Sequence, residues 1–214
     1  MSIALNAGLY AITDPLLLDS QSLLSSVESV LAGGCSVIQY RDKLASDAER
    51  LQRARALKRL CNQYHAQLII NDDLKLCLDS QADGVHLGKS DGDILHARNV
   101  LGREHILGVT CHSDLNYAQK CIAEGGDYCA FGRIFPSLTK PDAPHCSLSI
   151  LKQALTLSKP VVAIGGITLD NIGLLMQTPV HNVAVIHGLF SQTDIQATAH
   201  QFQEYFSKTS KKQV

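Results

Sequence analysis

One pattern returns eight times along this chain: a short apolar or β-branched run, then a stretch with apolar residues at helical spacing. The runs are Leu9–Thr13, Val37–Tyr40, Leu68–Asn71, Gly84–Leu87, Ile106–Thr110, Tyr128–Gly132, Val161–Gly165 and Val183–Ile186. They are apolar on both faces, as strands of a buried parallel sheet are. Eight strand–helix units without a linker predict an α/β fold, a (β/α)8 TIM barrel forming a single domain over residues 1–207. The basic segment 208–214 reads as a disordered tail. At 214 residues the chain is near the lower end of what such barrels occupy, so insertions must be few. The competing architecture, a doubly wound open sheet, usually carries GxGxxG after its first strand, and that signature is absent.

Helix punctuation supports the repeat. Ser46-Asp47-Ala48-Glu49 fits a capping box ahead of Leu51, Ala54, Leu57, Leu60, Cys61 and Tyr64. Gly33-Gly34 and Gly125-Gly126 read as helix stops. Thr168 is the expected N-cap of a helix through Met176, and Asp194 that of the last helix.

Composition narrows the setting. A net charge of −1 favours neither a nucleic-acid nor a membrane partner. The N-terminal segment lacks the basic start of a signal peptide, and no apolar run approaches the ~20 residues that span a bilayer. Seven cysteines, with no CxxC pair, give neither a zinc pattern nor a disulfide framework. The reading is a cytoplasmic, reduced protein.

Barrel sites lie at the C-terminal ends of the strands, and here the polar residues gather there. The strand ends carry Thr13-Asp14, Gln39 through Lys43, Asn71-Asp72-Asp73, Asp91, Thr110 through Ser113, Arg133 and Ser137 through Lys140. Arg41, Lys43 and Lys140 are cations, and Asp72 and Asp91 are carboxylates. Carboxylates beside cations that themselves want an anion point to a Mg²⁺–diphosphate arrangement, because Mg²⁺ is usually held by one or two carboxylates plus substrate phosphates. The glycines after the last two strands, Gly165-Gly166 and Gly188, expose N–H groups where barrels often bind phosphate, with Ser137 and Thr139 as added hydroxyl donors. The residues therefore describe a site for two phosphorylated substrates and leave the reaction open.

Eight blocks in order, "GLYAITD", "VIQYRDK", "LIINDD", "ADGVHLGKSD", "LGVTCHS", "DYCAFGRIFPSLTKP", "VVAIGGITLDN" and "VAVIHGLF", resemble the signature blocks of the thiamine-phosphate synthase family. The resemblance implies a transferase that joins a hydroxymethylpyrimidine diphosphate to a thiazole phosphate, with Mg²⁺ as cofactor and these two small molecules as its partners. A homodimer stays open. It implies that Gln39, Tyr40, Arg41, Asp42 and Lys43 form the pyrimidine-diphosphate segment, with Asn71 and Thr110 as further contacts. Asp72 and Asp91 match the Mg²⁺ ligands, and Lys140 the lysine that reaches the diphosphate. Ser137, Leu138 and Thr139 match the thiazole-phosphate loop, and Gly166, Ile186 and His187 its backbone contacts. Arg41, Lys43 and Lys140 are the implied catalytic cations. Ser137, Thr110 and His187 depart from the usual Thr, Ser and Ser.

Each residue also has a structural reading. Asp72 and Asp91 are eligible helix N-caps, and Asp73 reads as a helix-start residue. Arg41 and Lys43 are eligible surface ion pairs with Asp42 or Asp47. Cys111-His112 reads as a strand pair facing opposite sides rather than a nucleophile and base, and His86 as a satisfied interior histidine. A lid is expected around Ser137–Pro144, where Pro136, Pro141 and Pro144 preclude regular structure. Rival functions are a thiazole tautomerase and a non-catalytic ligand-binding barrel.

Overall fold

The computed structural model describes residues 4–137 and 143–210, the last three by their backbone alone. Eight parallel strands close on themselves in chain order. They are β1 (Gly8–Ile12), β2 (Val37–Tyr40), β3 (Gln67–Asn71), β4 (Gly84–Leu87), β5 (Ile106–His112), β6 (Tyr128–Phe131), β7 (Val161–Ile164) and β8 (Asn182–Val185). Closure is made by β1 against β8, with Leu9 opposite Val183. Between the strands lie α1 (Leu23–Ala32), α2 (Asp47–Gln63), α3 (Leu74–Ser80), α4 (Ile94–Leu101), α5 (Leu115–Ala123), α6 (Leu148–Ala154) and α7 (Ile172–Leu175). After β8 come a short α8 (His187–Phe190) and the long α9 (Ile195–Ser210). The eight-fold repeat therefore closes as a (β/α)8 barrel.

Alternation along each strand divides the apolar residues into two layers. Tyr10, Ile12, Val37, Ile69, Tyr128 and Val162 pack inside the barrel. Leu9, Ala11, Ile38, Tyr40, Leu68 and Ile70 face the helices instead, where they meet residues such as Val27, Leu57 and Phe202. Both sides of the sheet are dry, which is why the strand sequences lack polar alternation. One interior position needs glycine for space: a Cβ on Gly108 would lie 2.0 Å from Cζ of Tyr128.

Helix starts follow the sequence in most cases. Ser46 and Glu49 form the capping box. Asp73, Asp93, Asp114 and Asp194 each accept an N–H from the first turn of the helix that follows. The Thr168 expectation fails. The helix there is only Ile172–Leu175 with Asn171 at its N-cap, and Thr168 instead donates its N–H to Asn171 Oδ1 at 3.0 Å. Most strands shift by a residue at one or both bounds, and two ends shift by more. β5 continues to His112 through an irregularity after Thr110, and α9 runs past Lys208 to Ser210. The expected lid falls largely on residues 138–142, outside the described residues. Among the described residues, no helix is long and apolar enough to cross a membrane, and all seven cysteines are free and buried.

Candidate active site

Of the cavities that open at the C-terminal ends of the strands, two share a wall. The larger, of about 310 Å³, is lined by Gln39, Arg41, Lys43, Asn71, Asp72, Asp91, Thr110 and Ser137, with Tyr10, His86, Tyr128 and Arg133. The smaller, of about 230 Å³, is lined by Gly165, Gly166, Thr168, Ile186, His187 and Gly188. Ile164, Gly165, Ala184 and Ile186 belong to both walls.

The carboxylates are separated by local backbone chemistry. Asp72 stands at φ +64, a left-handed conformation that Asp tolerates better than most residues. Its N–H donates to the His86 carbonyl at 2.9 Å. Asn71 Nδ2 donates to its Oδ1 at 2.9 Å, and Lys43 Nζ lies 3.1 Å from its Oδ2. Asp73, the next residue, turns to α3 instead: it accepts the Leu76 N–H at 2.9 Å and pairs with Arg50 at 3.0 Å. The same division recurs one unit later. Asp93 caps α4, while Asp91 lines the cavity and accepts the Gly88 N–H at 3.0 Å. A Cβ on Gly88 would sit 2.2 Å from Asp91 Oδ2, so a side chain there would displace the carboxylate from this position. The two acids that reach the cavity are thus the two that do not cap.

Among the cations, Arg41 is placed by Thr13. The buried Thr13 hydroxyl accepts the Arg41 N–H at 2.9 Å and donates to its carbonyl at 3.2 Å. The surface pairs weighed for Arg41 and Lys43 do not form, because Asp42 is taken by Arg53 at 2.7 Å and Asp47 pairs with Arg50 at 3.4 Å. Tyr40 and Asp42 do not line the cavity. Tyr40 lies in the layer under the helices, and its hydroxyl donates to Asp42 Oδ2 at 3.2 Å. Burial raises the Asp42 carboxyl, but donors from Leu44, Ala45, Arg53 and Tyr40 together hold it below the usual carboxylate value. This pair therefore braces the β2 loop. Leu138, Thr139 and Lys140 lie outside the described residues.

The smaller cavity is built from backbone. Gly165 and Gly166 have φ +103 and +64, and a Cβ on Gly166 would meet the Pro136 carbonyl oxygen at 2.1 Å. Asn171 Nδ2 holds this turn by donating to the Gly166 carbonyl at 2.9 Å. Ile186 and His187 stand at the start of α8, and the first residues of a helix have N–H groups without intrahelical partners. A short extra helix after the eighth strand is a recurrent phosphate-binding feature of barrels.

Sequence reasoning missed the interior polar row. Gln39 Nε2 donates to Tyr10 Oη at 2.7 Å, Tyr10 and Tyr128 share a 2.8 Å bond, and His86 meets Tyr128 through Nδ1 at 2.9 Å and Thr110 through Nε2 at 2.8 Å. His86 is satisfied, as expected. The tyrosines were hidden because their rings read as ordinary barrel filling. Burial pushes both hydroxyls far above the usual tyrosine value, so both keep their protons. The roles of Thr13 and Asn171 went unseen for a simpler reason: they are bonds to backbone, of the β2 loop for Thr13 and of its own loop for Asn171.

A family model described as thiamine monophosphate synthase matches residues 9–189. This chain belongs to the thiamine monophosphate synthase family. The thiamine-phosphate synthase of Alcanivorax borkumensis is 51% identical over 203 residues, covering 93% of this chain and 94% of its own. That of Nitrosococcus oceani is 46% identical over 200 residues, covering 93% and 92%. The solved thiamine phosphate pyrophosphorylase of Pyrococcus furiosus superposes with a TM-score of 0.86 at 31% identity, covering 94% of this chain and 96% of its own. Asp72 and Asp91 are the larger cavity's carboxylates and the residues there that could hold a divalent ion. A two-carboxylate set suits Mg²⁺, which completes its shell with water and substrate phosphate, and suits zinc poorly.

Proposed function

We propose that this enzyme condenses 4-amino-2-methyl-5-(diphosphooxymethyl)pyrimidine with 4-methyl-5-(2-phosphooxyethyl)thiazole, giving thiamine phosphate and diphosphate. The observation that carries this reading is the shared wall. A cavity with cations and carboxylates at its rim adjoins one framed by glycine backbone, through Ile164, Gly165, Ala184 and Ile186. Two phosphorylated substrates bound there face each other with their charged ends apart.

In this reading Gln39, Asn71 and Thr110 hold the pyrimidine. Arg41, Lys43 and Lys140 take the diphosphate charge. Asp72 and Asp91 would hold Mg²⁺, which when bound neutralises charge on the departing diphosphate. Ser137, Leu138, Thr139, Gly166, Ile186 and His187 hold the thiazole phosphate. The bond from the exocyclic CH₂ to the diphosphate oxygen breaks, and its electron pair leaves with diphosphate. The aminopyrimidine carries the resulting cation, and the thiazole nitrogen donates its lone pair to form the new C–N bond. No side-chain nucleophile is used. The protein's part is to align the substrates, to stabilise the leaving charge and to exclude water. The reading includes a cytoplasmic enzyme with one catalytic domain over residues 1–207, acting on small molecules, with a homodimer as the assembly to be measured.

The test is incubation of the pure protein with both precursors, first with Mg²⁺ and then with EDTA. Metal-dependent appearance of thiamine phosphate and diphosphate is the expected result. Isomerisation of the thiazole alone, or tight binding without turnover, would overturn it.

A further inference from the structure

The row of hydrogen bonds from Gln39 to Thr110 has a direction. All five residues line the larger cavity. Gln39 Nε2 is a donor, so Tyr10 Oη accepts from it at 2.7 Å. A phenol has one proton, and with one lone pair turned to Gln39 the arrangement that leaves no buried hydroxyl unpaired has Tyr10 give that proton to Tyr128 at 2.8 Å. Tyr128 then spends its own on His86 Nδ1 at 2.9 Å. With Nδ1 accepting, the neutral imidazole carries its proton on Nε2 and donates it to Thr110 Oγ1 at 2.8 Å. The Thr110 hydroxyl proton is not spent in the row. Its two ends therefore differ: the Gln39 amide keeps its carbonyl oxygen as an acceptor, and Thr110 keeps an O–H donor.

The two ends are also coupled. Turning the Gln39 amide over would make Tyr10 donate to Gln39, Tyr128 donate to Tyr10, His86 donate through Nδ1, and Thr110 donate to His86 Nε2. Gln39 would then offer N–H and Thr110 only lone pairs. The row admits these two fully paired states and penalises mixtures, because a mixture leaves a buried tyrosine hydroxyl proton without an acceptor, or two acceptors facing each other, between Tyr10 and Tyr128. Tyr10 and Tyr128 are buried, and Gly108 provides the space for the Tyr128 ring.

We propose that this row is a polarity lock, in which Tyr10, Tyr128 and His86 are positioning residues that make the site select an aminopyrimidine over the corresponding 4-oxopyrimidine. The inference rests on the function proposed above. An aminopyrimidine offers an N–H donor beside a ring-nitrogen acceptor, the complement of a Gln39 carbonyl and a Thr110 hydroxyl. The 4-oxo form offers a C=O acceptor beside a ring N–H donor, which is the reverse pattern. It would fit only after the whole row had turned over.

The measurement is the ratio of dissociation constants for the two pyrimidine diphosphates, by calorimetry with Mg²⁺, in the wild type, Tyr10→Phe and Tyr128→Phe. Binding of inorganic diphosphate and thermal unfolding serve as controls for the anion site and the fold. The wild type is expected to prefer the amino form about tenfold or more. Either phenylalanine variant frees the Gln39 amide and should bring the ratio several-fold closer to one, with diphosphate binding unchanged. Nitrogen NMR of labelled histidine should find His86 as the Nε2–H tautomer in the wild type and as a mixture in Tyr128→Phe. A ratio that stays at its wild-type value in both variants overturns the lock, as does a wild-type His86 protonated on Nδ1. A wild type that binds both pyrimidines alike, with His86 locked on Nε2, leaves the proposed function standing and defeats the selector. A wild type that binds inorganic diphosphate and neither pyrimidine defeats both.

Discussion

The Lys43 ammonium stands 3.1 Å from Asp72 Oδ2 at the mouth of the barrel. A cation proposed for diphosphate and a carboxylate proposed for the metal neutralise each other there, on a lysine side chain that is 59% exposed. A pair so open to solvent contributes about 1 kcal/mol or less to stability. Its place at the cavity mouth is therefore explained by binding rather than by folding.

Asp72 and Asp73 should separate cleanly on mutation. Asp72→Asn is expected to lower kcat/KM about a hundredfold and to raise the Mg²⁺ concentration needed for half-maximal rate. Its unfolding midpoint should move by no more than about 2 °C. Asp73→Ala removes the cap on the Leu76 N–H and should cost about 1 kcal/mol, or roughly 2–4 °C, with the Mg²⁺ dependence intact. Calorimetric scans beside a metal titration decide it; the reverse outcome would exchange the two roles.

Asp42 should make the fold acid-sensitive. Its carboxyl lies below the ordinary value of 3.8 in the folded chain. A depressed carboxylate contributes stability that is fully present above the unfolded value and is lost as pH falls through the folded one. Asp42→Asn, which keeps one acceptor oxygen and loses the charge facing Arg53, should cost on the order of 2 kcal/mol at pH 7. That difference should shrink as pH drops below 3.8. Urea titrations at pH 7 and at pH 3 give the comparison, and a penalty independent of pH would refute the assignment.

The barrel was legible because its signal is periodic: eight apolar runs, each too uniform for a solvent-facing strand. Asp72, Asp91, Arg41 and Lys43 were legible because charged residues at the ends of apolar strands need a reason. Tyr40 and Asp42 were drawn into the site by their position between Gln39 and Lys43, yet alternation sends the Tyr40 side chain outward, and Asp42 follows it to Arg53. The Tyr10–Tyr128–His86 row was not legible, because it depends on register. Gly108 lies opposite Tyr128, and no single strand records that pairing. Likewise Asn171, which looks like an ordinary loop residue, gains its role only when its amide reaches the Gly166 carbonyl.

Gly108→Ala tests that pairing from the fold side. The added methyl would stand 2.0 Å from Tyr128 Cζ, so the ring must move and release Tyr10 or His86. Overpacking of this kind costs about 1–3 kcal/mol. The variant should therefore unfold several degrees lower and bind the pyrimidine diphosphate more weakly, while its affinity for inorganic diphosphate holds. A variant as stable as the wild type would show that the interior has slack near Tyr128.

Gly166→Ala tests the smaller cavity. Its backbone at φ +64 disfavours a side chain, and the new Cβ would press the Pro136 carbonyl at 2.1 Å. The turn that Asn171 holds must then open. The KM for the thiazole phosphate should rise about tenfold or more, the equivalent of one or more charge-assisted hydrogen bonds, with the KM for the pyrimidine diphosphate little changed. His187→Ala is the companion variant, because it removes an imidazole and keeps the backbone at the start of α8. If phosphate is held there by N–H groups, His187→Ala should change the same KM less than about threefold. A rise as large as that of Gly166→Ala would assign the imidazole itself to the phosphate.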